Sequence, residues 1–181
     1  MAALIYLSRN VARLLVAAIL LLASLPSEAE GKFAWGAEIG SSIDMTGHDM
    51  TTINLDANFG YSNSILKMAG VGAGVHMMAS NGCRAFPIYA ILQTNFRQKP
   101  SLCFLDLRVG LAINNVDHDS RQTVPYINPS IGFNLAGNKS FQSYLRMGYL
   151  YNGMKSFGPT DNRTVIKGGL SMVNFAIGVN F

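Results

Sequence analysis

Residues 171–181, SMVNFAIGVNF, set Ser171, Val173, Phe175, Ile177, Val179 and Phe181 at every second position, with Met172, Asn174, Ala176, Gly178 and Asn180 between them. Side chains of a strand point alternately to its two faces, so this spacing predicts a strand with one apolar face and one small or polar face. The apolar face needs a cover. What that cover is decides the fold.

The alternation recurs in seven earlier segments. The first sets Phe33, Trp35, Ala37, Ile39 and Ile43 against Gly36, Glu38, Gly40 and Ser42, and the second sets Ile53, Leu55, Ala57, Phe59 and Tyr61 against Asn54, Asp56, Asn58 and Gly60. In the third, Ala69, Val71, Ala73, Val75 and Met77 face away from glycines and His76. The fourth opposes Phe86, Ile88, Ala90 and Leu92 to Pro87, Tyr89, Ile91 and Gln93; the fifth opposes Leu105, Leu107, Val109 and Leu111 to Phe104, Asp106, Arg108 and Gly110. In the sixth, Ile127, Ile131, Phe133 and Leu135 lie opposite Tyr126, Asn128, Ser130 and Asn134, and in the seventh Leu145, Met147, Tyr149 and Tyr151 lie opposite Tyr144, Arg146 and Gly148. Short links at 63–67, 97–101 and 136–140 alternate with longer polar ones at 45–51, 114–123 and 152–164, the tight turn at 80–83 being the exception. No apolar run long enough for a membrane helix follows Gly31. The pattern predicts an all-β fold, an eight-stranded antiparallel up-and-down barrel over residues 30–181.

A soluble barrel turns its apolar face inward and needs charged side chains outward in number. Here the polar face is mostly Gly, Ala, Ser and Asn, and 49% of all residues are hydrophobic against 13% charged. Such a face suits a cramped lumen, which assigns the apolar face to lipid and makes the barrel transmembrane. Aromatic residues then belong at the two interfaces, with Phe33, Trp35, Phe59, Tyr61, Phe96, Phe141 and Phe181 at one end and Phe86, Tyr149 and Tyr151 at the other.

Residues 14–25, LLVAAILLLASL, would form a helix only about 18 Å long, too short for a hydrocarbon core of about 30 Å. With Arg9 and Arg13 before it and Ser27-Glu28-Ala29 after it, the segment reads as a cleavable signal peptide, residues 1–29. Its removal leaves twelve basic and nine acidic side chains, a net charge of +3 without any basic run, which argues against a nucleic-acid partner. Cys83 and Cys103 fall near opposite ends of adjacent strands and are expected as free thiols.

Phe181, with Val179 and Ile177 two and four residues before it, Gly178 between them and Phe175 upstream, resembles the sorting signal of bacterial outer-membrane β-barrels. With GVGAGVHM in the third segment, RAFPIYA at 84–90 and VNFAIGVNF at 173–181, the chain from Lys32 to Phe181 resembles the small outer-membrane barrels common in Bacteroidetes, of the kind of OmpX and the OmpA transmembrane domain. The resemblance implies an outer-membrane location with periplasmic termini and extracellular loops. The partners expected there are the barrel-assembly machinery, outer-membrane lipids and lipopolysaccharide, with no nucleic acid. A monomer without a cofactor is expected.

Glu38, Asp56, Asp106, Arg108 and Arg146 all face inward at similar heights, so they are expected to meet at one level. Charges in a narrow, low-dielectric space persist when paired. Arg108 and Arg146 are therefore expected to bridge Glu38, Asp56 and Asp106 and to plug the lumen, in preference to an ion path or a carboxylate acid/base site. His118-Asp119-Ser120 resembles the His-x-Ser motif of outer-membrane lipid A deacylases, but it sits in a stretch expected to be a polar loop and has no identifiable acidic orienter. His48 and His76 read as isolated, and no metal-ligand spacing or phosphate-binding glycine loop is present. The function expected is a non-enzymatic structural, surface-interaction or envelope-homeostasis role. A lipid A-modifying enzyme or a small pore are the alternatives.

Overall fold

The computed structural model describes residues 32–63, 66–80, 82–96, 101–117, 120–138, 141–158 and 164–181. The expected signal segment lies outside them. Seven long strands, β1 (Lys32–Asp44), β2 (Thr52–Ser62), β3 (Leu66–Met78), β4 (Arg84–Asn95), β5 (Cys103–Asp117), β6 (Ser120–Gly137) and β7 (Gln142–Asn152), are followed by a two-residue pair, β8 (Ser156–Phe157) and β9 (Thr164–Val165), and by β10 (Leu170–Asn180). Each long strand pairs antiparallel with the next, β7 pairs with β10, and β10 returns to β1, closing an eight-stranded barrel. β8 and β9 form a separate small hairpin within the last loop. Among the described residues there is no helix. The eight-stranded antiparallel barrel read from the alternation is the fold observed.

Burial follows the period of two and runs opposite to that of a soluble protein. Ile39, Ile88 and Ile177 are each half-exposed or more on the outer surface, whereas Arg108 and Arg146 have 0% and 1% of their surface accessible. Burying one such aliphatic side chain is worth about 1.5–3 kcal/mol in water. A surface that leaves about twenty of them outward is built for an apolar surrounding. The interior is narrow. A Cβ at Gly132 would collide with the ring of Phe104, and one at Gly72 with the ring of Tyr89, so these two glycines let aromatic side chains lie across the lumen.

Aromatic side chains gather at the end that carries the termini. Phe33 meets Tyr61 edge-on at 6.5 Å, Phe141 lies 5.7 Å from Phe181, and Phe181 stacks on Trp35. Cys83 is buried at the loop end and Cys103 is half-buried at the terminal end, both as free thiols.

Two boundaries differ from the expectation. Residues 114–123 are largely strand, because β5 and β6 pair through Asn114↔Gln122 and Asn115↔Arg121 up to Asp117↔Ser120. Polar residues pair as well as apolar ones where a hairpin stands in water, and Val116 and Val124 still turn inward and are buried. Lys67, expected in a turn, lies inside β3, where a register shift between Leu66 and Met68 turns it into the barrel.

Candidate functional site

Across the middle of the barrel Glu38 and Asp56 face each other on neighbouring strands, two carboxylates at one register position. Like charges so placed repel, and the side chains opposite determine how the repulsion is relieved. Glu38 turns toward the β5–β7 side, where Arg108 donates to its Oε1 and Arg146 donates to Oε2 from Nε at 3.2 Å and Nη2 at 3.0 Å. Tyr144 Oη at 2.6 Å and Asn58 Nδ2 at 3.2 Å complete its shell.

Arg108 also donates to both oxygens of Asp106, at 2.9 and 3.1 Å, and Gln93 Nε2 donates to Asp106 Oδ2 at 2.7 Å. Arg146 uses its remaining arm on Asn128 Oδ1 at 2.7 Å and Ser130 Oγ at 2.9 Å. Every one of these side chains is buried. Buried ion pairs survive desolvation only when their remaining donors and acceptors are also met, and here they are.

Asp56 departs from the expected arrangement. It makes no ion pair with either arginine and instead lies 3.3 Å from His76 Nε2 and 3.1 Å from Tyr89 Oη. The reason is local. Gly74 opposite Asp56 leaves space above it, and His76, the next inward residue of β3, reaches diagonally into that space. His76 is thus not isolated. Tyr89 joins the two halves, since its hydroxyl accepts from Arg108 Nη1 at 3.1 Å and faces Asp56 and Asn58 Oδ1, the latter at 3.0 Å. Tyr126 stacks on Tyr89 at 5.6 Å and meets His76 edge-on at 5.9 Å.

The remaining lumen is filled in layers. Toward the termini Lys67 Nζ lies 3.8 Å from the centre of the Phe104 ring and 4.3 Å from that of Tyr144, and it donates to Asn134 Oδ1. A lysine in such a place is held by ring quadrupoles as well as by hydrogen bonding. Toward the loops comes an amide and hydroxyl layer in which Asn54 and Asn174 both donate to Ser42 Oγ, at 2.7 and 3.0 Å, and Asn114 and Asn152 exchange hydrogen bonds of 2.8 and 3.0 Å. Above that lies an apolar cluster of Met50, Met78, Val116, Met154, Ile166 and Leu170, all nearly inaccessible. The polar face of the sequence did not foreshadow this cluster, because three of these residues come from links between strands and fold over the mouth.

The chemistry on offer is limited. Glu38 and Asp106 are saturated with donors, and no group of three or more His, Cys, Asp or Glu among the described residues could hold a metal ion. Ser120 opens β6 opposite Asp117 rather than standing in a loop, and His118 lies outside the described residues.

No protein-family model matches the chain, and no curated protein matches it. Solved structures do. Neisserial surface protein A (NspA) aligns with a TM-score of 0.63 at 16% identity, over 83% of this chain and 97% of that one. The N-terminal β-barrel domain of Pseudomonas aeruginosa OprF aligns with a TM-score of 0.52 at 12% identity, over 84% of this chain and the whole of that domain. The comparisons lend no support to the Bacteroidetes affinity. The chain has the fold of the small outer-membrane β-barrels.

Proposed function

We propose that this chain is an integral protein of the bacterial outer membrane, exported by residues 1–29, with its termini in the periplasm, its loops outside and a lumen closed to ions. The observation that carries this reading is the inverted distribution of polarity: isoleucines half-exposed outside, a hydrogen-bonded Glu38–Arg108–Arg146–Asp106 network inside. Such a molecule gains from lipid and has no through-path of water for solutes. Its role is structural or surface-interacting, and it is not an enzyme: no carboxylate of the network is left to take up or deliver a proton to a substrate. Its partners are outer-membrane lipids, lipopolysaccharide and the assembly machinery, which reads Phe175, Ile177, Gly178, Val179 and Phe181. It acts as a monomer.

Density-gradient fractionation of cells, followed by electrophoresis with and without boiling, tests the location. The protein should sediment with outer membranes and run faster unboiled, as a folded barrel does. Recovery in the soluble periplasmic fraction would contradict it.

A further inference from the structure

One polar row on the outer surface is left incomplete by the protein itself. Arg84 of β4 pairs across the ladder with Asn115 of β5, and Asn115 pairs with Arg121 of β6, so the three occupy adjacent places in one row. Each keeps step with outward residues of its own strand: Arg84 with Phe86 and Ile88, Asn115 with Ile113, Arg121 with Ile127. Two strand spacings, roughly 10 Å, separate the arginine backbones, a gap that two long side chains can close from either side. Both arginines are exposed, and neither guanidinium is hydrogen-bonded or ion-paired to a described residue. Between them Asn115 is half-buried, and its Oδ1 is inaccessible to solvent.

The height of this row gives it meaning. Directly below it Phe86 pairs with Ile113, both 37% exposed, and below those comes Ile88, 58% exposed. Above it the β5–β6 hairpin continues to Asp117↔Ser120, past the last register pair of β6 with β7 at Tyr126↔Asn152. The row therefore marks the edge of the apolar belt at the loop end. A guanidinium offers a planar fork that matches phosphate oxygens two at a time. Two exposed forks in one row suit a headgroup that carries phosphate.

We propose that Arg84 and Arg121, on either side of Asn115, form a docking site for the phosphorylated headgroup of an outer-leaflet glycolipid whose acyl chains lie along Phe86, Ile88 and Ile113. The proposal rests on the outer-membrane reading given above. The apolar surface immediately beneath the arginines selects a lipid over a free anion, and the position at the loop end selects the outer leaflet.

Native mass spectrometry of the detergent-solubilised, folded barrel tests it with three probes: diphosphorylated lipid A, the same lipid enzymatically dephosphorylated, and inorganic phosphate. The wild type should retain the phosphorylated lipid about tenfold more tightly than the Arg84→Ala/Arg121→Ala variant. Arg84→Lys/Arg121→Lys, which keeps the charge and loses the fork, should fall between them. All three chains should show the same shift on boiling, which separates lost binding from lost folding. Equal retention by wild type and the alanine variant, equal retention of the dephosphorylated lipid, or inorganic phosphate binding as tightly as the lipid would each overturn the site. Those outcomes in a chain that still fractionates with outer membranes leave the location standing, whereas a soluble chain removes both.

Discussion

Phe181 lies stacked on Trp35, ring centroids 4.4 Å apart and planes 14° from parallel, and the same two residues exchange backbone hydrogen bonds, Phe181 N to Trp35 O at 2.8 Å and Trp35 N to Phe181 O at 3.2 Å. Backbone and side chain thus close the seam between β10 and β1 at one place. An unclosed seam would present a strand edge to lipid, where unpaired backbone groups cannot be met.

A double-mutant cycle on Trp35→Ala and Phe181→Ala should yield a coupling of about 0.5–1.5 kcal/mol, the range for a stacked aromatic pair. The measurement is reversible urea unfolding from lipid vesicles. Phe181→Asp should go further and lower the amount of heat-modifiable barrel in outer membranes. Additive single effects would show that the stacking carries no stability of its own.

Glu38 is the acid that both buried arginines share. Glu38→Gln leaves two guanidinium groups in the lumen with a weaker acceptor and should cost about 3–5 kcal/mol, the usual penalty for breaking a buried pair. Adding Arg146→Met to that variant should restore part of the loss, because one of the uncompensated charges goes with it. A Glu38→Gln barrel with unfolding free energy within about 1 kcal/mol of wild type would mean that the lumen charges are well hydrated.

Much of this was legible from residue order. A period of two assigned Glu38, Asp106, Arg108 and Arg146 to one face, and counting from the turns put them at one height. What period and counting could not supply is reach across strands. The Asp56–His76 contact depends on Gly74 standing opposite Asp56, and so on the β2–β3 register. Lys67 was hidden for another reason: a one-residue register shift inverts the facing of everything before it, and no residue type at Leu66–Met68 announces one. The hairpin at 114–123 is masked in the sequence by its polar residues, which read as a loop, although Asn114, Val116 and Val124 keep the inward alternation.

At the loop end, outside the apolar belt, Asp44 organises the turn after β1. Its carboxylate accepts from Thr46 Oγ1 and from the backbone N–H groups of Thr46, His48 and Met50. Partial burial pushes its pKa up, but these hydrogen bonds outweigh that and hold it below the ordinary value. A depressed folded-state pKa means that the stabilisation is present above the unfolded pKa, about 3.9, and is lost as pH falls through the folded value. Amide exchange at Thr46, His48 and Met50 should therefore stay slow from neutral pH down to about 5 and become fast at every pH in Asp44→Ala. Equal protection in the variant would show that the turn does not depend on the carboxylate.

His118→Ala and Ser120→Ala should leave the lipid A acylation pattern unchanged. Ser120 begins β6 on a hairpin that also carries Asn115, Arg121 and Gln122, and placing that many polar side chains in hydrocarbon to meet an ester would cost several kcal/mol. Mass spectra of extracted lipid A check this directly. One acyl chain fewer with wild type than with either variant would make the protein an enzyme.

In the function proposed above, the barrel spans the outer membrane and its lumen is closed by the Glu38–Arg108–Arg146 network and by the apolar cluster around Met50, Met78 and Met154. In planar bilayers the purified, folded wild-type protein should show no steady single-channel conductance above the bilayer background; large, stable, stepwise openings would overturn the closed lumen.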